Sequence, residues 1–171
     1  MAEGVVAVLA RRRVALGFAA GAITLLLAQP TWLTWRIGLA IALVGEAIRV
    51  WAAGHLEKSR EVTRSGPYRW TSHPLYLGSS LVALGAVVAS HSHIVALFVI
   101  VYMAVTLWSA IAVEERFLRG KFGTMYEEYK RGATVARAFS LERVVRNREY
   151  RALAGLVLGF GVLALKIVLS I

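Results

Sequence analysis

The stretch IVALFVIVYMAVTLWSAIAV, Ile94 to Val113, runs for twenty residues without a charge and is followed at once by Glu114-Glu115. A helix of that length rises about 30 Å, the thickness of a bilayer's hydrocarbon core. Four more apolar blocks flank it: Val14 to Gln29, Ile37 to His55, Leu75 to Ser90 and Ala152 to Ile171. The first and third stand at the short end of what a bilayer requires, and the second carries Glu46 and Arg49. The chain as a whole is 58% hydrophobic with a mean hydropathy of +0.62, too apolar for an ordinary soluble fold. In lipid every backbone polar group must be paired within its own segment, so helices are the expected form. The expectation is an all-α polytopic membrane protein of about five transmembrane helices, one domain over residues 1–171. Arg11-Arg12-Arg13 before an apolar run resembles a signal peptide, but the further blocks make the first one read as a membrane helix.

The formal charge of +10 is placed by topology. Arg11 to Arg13 precede the first block, Lys58, Arg60, Arg64 and Arg69 lie between the second and third, and a run from Arg116 to Arg151 lies between the fourth and fifth. The two remaining connections hold only Arg36. An N-in, C-out arrangement gathers the basic loops on the cytoplasmic side, the positive-inside pattern, where they meet anionic membrane lipids. Nucleic acid is therefore not an expected partner. The chain has no cysteine, and His55, His73, His91 and His93 match no metal-binding spacing, so no metal site is expected.

Two clusters on the cytoplasmic side carry chemistry. In the first, Gly66-Pro67-Tyr68-Arg69-Trp70-Thr71-Ser72-His73-Pro74-Leu75-Tyr76-Leu77-Gly78, a turn signal precedes a proline suited to a helix's first position. His73 and Tyr76 then stand at the water boundary, by the positive end of a helix. In the second, Glu114-Glu115 end the uncharged block, followed by Phe122-Gly123 and Tyr126-Glu127-Glu128-Tyr129. Residues Glu114 to Lys130 read as an interfacial helix interrupted at Gly120 and Gly123. Read alone, each cluster also fits a plainer role: an aromatic belt with a capping turn, or a solvated helix end paired with Arg116 or Arg119. Glu46 and Arg49, three residues apart, can pair with each other, and intramembrane charges are functional candidates. Lys166 either reaches outward or answers Glu46 across the bundle.

Together the clusters resemble the superfamily of isoprenylcysteine carboxyl methyltransferases and phospholipid methyltransferases. The matching pattern runs from Arg49-Val50-Trp51-Ala52 through Val62 to Tyr68 and His73 to Gly78, resumes at Glu114-Glu115 and the tyrosines, and fades at Val135-Ala136-Arg137. It covers about residues 45–140, leaving residues 152–171 as an extra span. The resemblance implies S-adenosylmethionine as cofactor, lined by Val62, Tyr68, His73, Pro74, Leu75 and Tyr76, with Glu114 and Glu115 holding its polar groups. It implies methyl transfer to a lipid-like or prenylated acceptor. A carboxylate acceptor needs only a cationic holder, for which Arg49 or Arg137 are candidates, and a protonated amine needs a base, for which Glu114 or Glu115 are candidates. Ser72 stands where the superfamily commonly has arginine before His-Pro, Ala110 lies near the position of its carboxylate-holding arginine, and no proline follows Arg137. The rival expectations are an NADPH-dependent membrane reductase of the steroid 5α-reductase type and a non-catalytic helical scaffold.

Overall fold

The computed structural model describes residues 17, 19–58 and 60–169. Regular structure among them is helical throughout: α1 (19–27), α2 (Trp32–His55), α3 (Pro74–Ser90), α4 (His93–Phe122), α5 (Thr124–Lys130), α6 (Leu141–Arg146) and α7 (Tyr150–Leu169), with a 3-10 turn at Gly66–Arg69. Helices α2, α4 and α7 are each long and apolar enough to cross a membrane, and α3, at 17 residues, is an apolar helix at the short limit. The expected all-α membrane architecture is the one found. Arg11 to Arg13 and the start of the first apolar block lie outside the described residues.

The bundle is organised around the antiparallel pair α2 and α3. Gly45 faces Gly78 and Gly38 faces Gly85, so backbones meet where a side chain would hold them apart. In a bilayer, where apolar side chains gain nothing by leaving lipid, such close approach is what holds helices together. Ala42 and Ala89 complete the seam, and α7 packs over it through Leu156, Phe160 and Leu163. Trp35 of α2 turns inward and donates its indole N–H to the Phe160 carbonyl at 2.8 Å.

Lys166 does neither of the things expected of it. Its ammonium donates to the carbonyls of Leu25, Leu26 and Ala28 at 3.1, 3.2 and 2.9 Å. These are end-of-helix carbonyls with no intrahelical donor, and a cation there also meets the negative end of the α1 dipole. Lys166→Met should therefore cost roughly 1–3 kcal/mol, the penalty for carbonyl acceptors left without donors where lipid offers none. A thermal melt in detergent should show the drop, and an unchanged midpoint would mean that other donors replace the lysine.

Helix α4 departs from expectation at its far end. It runs unbroken through Gly120 for 30 residues and stops only at Gly123, whose φ of +47° ends the helix. At 1.5 Å per residue it is about 45 Å long, so its last turns leave the hydrocarbon and carry Glu114 and Glu115 beyond it. At the same end of the bundle α2 is closed by the segment around α6. Arg143 Nε and the Ser140 N–H donate to the Gly54 carbonyl at 2.6 and 3.1 Å, and Asn147 donates to Ala53 and Leu56 at 2.9 and 3.0 Å. The two long polar connections thus fold together over one end of the bundle.

Candidate functional site

Pro74 opens α3, and its ring holds the first turn without needing a hydrogen bond. His73 precedes it, and its carbonyl accepts from the N–H groups of Tyr76 and Leu77 at 3.0 and 3.1 Å. This folds the His73 ring onto Tyr76, stacked at 5.5 Å. The Tyr76 hydroxyl donates to Glu114 Oε2 at 2.6 Å, joining α3 to α4. His73 also stands 3.6 Å from Glu115 and 4.0 Å from Glu114. The two sequence clusters therefore form one site.

Gly123 turns the chain so that α5 folds back beside the site. Lys130 then pairs with Glu115 at 2.8 Å, and this bond holds the lysine above its usual range. The adjacent carboxylates are thus unlike each other: Glu115 is answered by a lysine, while Glu114, 42% exposed at its side chain, accepts from the Tyr76 hydroxyl. Tyr126 and Tyr129 of α5 pack with Val62, Leu118 and Phe122 into a small core. The Tyr129 hydroxyl donates to the Tyr68 carbonyl at 2.9 Å, fixing the 3-10 turn against α5.

Tyr68 is 7% exposed, and its hydroxyl has no hydrogen-bond partner among the described residues. Burial pushes its ionisation well above the tyrosine range, with Glu114, Tyr129, Glu149 and Tyr76 adding to the effect. A protonated phenol is thus held among carboxylates with its hydrogen-bonding capacity unused. Such a group is a strong pointer to a missing polar partner. Beyond Val62 lies a recess of about 170 Å³, lined by Glu61, Val62, Arg64, Ser65, Met125, Val135 and Arg137.

Val62, Tyr68, His73, Pro74, Leu75, Tyr76, Glu114 and Glu115 gather at this end of the bundle, with Leu75 half-buried at the start of α3. The two arginines singled out by sequence are both engaged in ion pairs. Arg137 borders the recess and pairs with Glu61 at 2.5 Å. Arg49 pairs with Glu46 at 3.4 Å, as its spacing allowed, and with Glu149 at 2.5 Å, and it donates to Ser79. Lys130, Glu61, Ser79 and Glu149 were not anticipated. Only the Tyr126–Tyr129 spacing, which aims α5 at the site, hinted at Lys130.

The family model described as phospholipid methyltransferase matches residues 14–125. Among curated relatives, the proteins named "Probable protein-S-isoprenylcysteine O-methyltransferase" of Oryza sativa subsp. indica and of Oryza sativa subsp. japonica are each 32% identical over 114 residues, covering 57% of this chain and 58% of theirs. The chain therefore matches less than two thirds of the length of either relative. No solved structure matches it. The family match spans α1 to α4, including the Tyr76–Glu114 pair around which the site is built, and on it the chain belongs to the phospholipid methyltransferase family.

Proposed function

We propose that this chain transfers a methyl group from S-adenosylmethionine to a lipid-like or isoprenoid acceptor at the cytoplasmic face of a membrane. The observation that carries this reading is the Tyr76–Glu114 pair. It sets a carboxylate with spare acceptor capacity beside the stacked rings of His73 and Tyr76, at the end of an uncharged span. The residues fit the cofactor. Glu114 would take its ammonium, the unpartnered Tyr68 hydroxyl would meet another of its polar groups, and Val62, Pro74 and Leu75 would form the apolar wall. Aromatic faces suit a sulfonium cation.

S-adenosylmethionine, when bound, supplies an electrophilic methyl group. What the protein's residues do is hold and align, and alignment of two bound reactants can supply most of such a rate. Tyr76 fixes the Glu114 carboxylate, Lys130 fixes Glu115, and Tyr129 fixes the turn bearing Tyr68. A protonated amine acceptor would need a base within hydrogen-bond reach, for which Glu114 and Glu115 are the candidates. The cytoplasmic assignment rests on the basic connections, which meet at this end. An acceptor of lipid character would enter from the bilayer, because the site begins where α3 and α4 leave it. NADPH carries several phosphate charges, whereas Lys130 at the site and Arg137 and Arg64 at the recess are paired with Glu115, Glu61 and Glu128.

Calorimetry of the detergent-purified protein tests the reading. S-adenosylmethionine and its demethylated product should both bind saturably, and Tyr68→Phe should weaken them by about three- to tenfold, the worth of one hydrogen bond. Saturable NADPH binding with no response to S-adenosylmethionine would select a reductase instead.

A further inference from the structure

Trp51 and Trp70 hold their ring centroids 5.4 Å apart at the end of the bundle where the polar connections fold, and they are 38% and 75% exposed. Two indoles left open together are poorly placed in water but well placed at a membrane interface, where the apolar body meets acyl chains and the N–H meets head groups. Depth along α2 supports the second setting. Trp32, also exposed, opens that helix, and Trp51 follows nineteen residues later. That is a rise of about 28 Å, close to the thickness of the hydrocarbon core. The two tryptophans therefore mark opposite interfaces of one span, and Trp70 stands at head-group depth beside Trp51.

The 3-10 turn sets a cation next to them. Gly66, at a φ of +57°, lets the turn begin where a Cβ would strike the His55 ring, and the Trp70 N–H closes it on the Pro67 carbonyl at 3.1 Å. The turn buries Tyr68 inward and leaves Arg69 and Trp70 exposed. Arg69 borders a cleft of about 470 Å³ that is also lined by Trp51, His55, Gly66 and residues 135–138. Among the described residues no carboxylate lines this cleft. Its two arginines differ. Arg137 is answered by Glu61 at 2.5 Å, whereas Arg69 makes no ion pair among the described residues.

We infer that this cleft seats the head group of an anionic phospholipid, with Arg69 holding the phosphodiester and the Trp51 and Trp70 rings covering the glycerol and first acyl carbons. A guanidinium matches the paired oxygens of a phosphate, and two arginines without a lining carboxylate favour a net negative head. A choline head would bring its own cation against Arg69 and Arg137, with no lining carboxylate to receive it. Depth at the interface and the two indoles favour a lipid over a soluble phosphate. The seat opens on the outward side of the turn and needs neither cofactor nor methyl acceptor, so it stands independently of the methyltransferase reading.

Native mass spectrometry of the full chain in zwitterionic micelles tests this, with phosphatidylglycerol and phosphatidylcholine of identical acyl chains as probes. Wild type should bind phosphatidylglycerol about fivefold more tightly, the worth of one arginine near an anionic surface. Arg69→Gln should remove most of that preference, and Arg69→Lys should keep most of it. Arg148→Gln removes the same charge from an exposed position outside the cleft and should change the preference by less than about twofold. Trp70→Ala should weaken both lipids alike, because the rings touch what the two share. Arg69, Trp70 and Arg148 are all exposed, so these changes leave the core intact. Equal binding of the two lipids to wild type would overturn the inference. Equal losses in Arg69→Gln and Arg148→Gln would also overturn it, by showing diffuse attraction to a basic surface. Glycerol 3-phosphate competing as well as the lipid would overturn the assignment to a membrane lipid.

Discussion

Glu114→Gln should weaken S-adenosylmethionine binding by about 10- to 100-fold, whereas Glu115→Gln should weaken it only a few-fold. A charge-assisted hydrogen bond is worth about 1.5–3 kcal/mol, which sets the larger figure, and partial exposure of Glu114 keeps it from the top of that range. Glutamine keeps the size of glutamate and still offers an oxygen to the Tyr76 hydroxyl, so the α3–α4 contact survives and only the charge is lost. Glu115 differs because its charge is already met by Lys130 at 2.8 Å. Removing it releases a lysine at the edge of the site and perturbs the cofactor indirectly. Calorimetry on both variants, with the far-ultraviolet spectrum as a check on folding, gives the comparison. Wild-type affinity in Glu114→Gln would remove the central assignment. Equal losses in both variants would mean that the carboxylates act as a pair, whatever Lys130 does.

That difference between neighbours could not be read from Glu114-Glu115 in the sequence. It depends on Gly123, which turns α5 back so that Lys130 reaches Glu115 across fifteen positions. Gly120 looks like an equal candidate for the break, but a glycine in a helix costs only about 1 kcal/mol, and the helix continues through it. What was legible came from strong local physics. An uncharged run must be helical in lipid, and Pro74 must open a helix, which places His73 and Tyr76 on its first turn. The Glu46–Arg49 pair was legible from spacing alone. The long-range partners were not. Glu149 sits in a run of arginines one hundred positions after Arg49, and nothing in its neighbourhood distinguishes it from a solvated loop carboxylate. Lys166 answers backbone carbonyls of α1, and carbonyls are common to every residue, so no pattern could announce them.

Gly85→Val should destabilise the bundle more than any other single change considered, by about 3 kcal/mol, or roughly 6–12 °C in a thermal melt. A Cβ on Gly85 would fall on the Gly38 carbonyl oxygen and come within 2.7 Å of the Ala42 amide nitrogen and 2.8 Å of its Cβ. Two of these neighbours are backbone, so no rotamer change relieves the overlap, and the helices must part. Gly78 lies seven residues earlier, on the same face two turns away, and its seam with Gly45 carries the Arg49 side chain. Parting the helices at Gly85 therefore loosens the arginine from Ser79 and reaches the site through the α2–α3 contact. Gly159→Ala is the comparison, since a Cβ there meets nothing within 4 Å. It should leave the melting temperature unchanged or raise it slightly, because alanine favours the helix more than glycine does. Size-exclusion profiles and melts of both variants in one detergent decide between them. A Gly85→Val protein that melts with wild type would mean that the α2–α3 seam tolerates separation, and the close packing that positions Arg49 would then need another source.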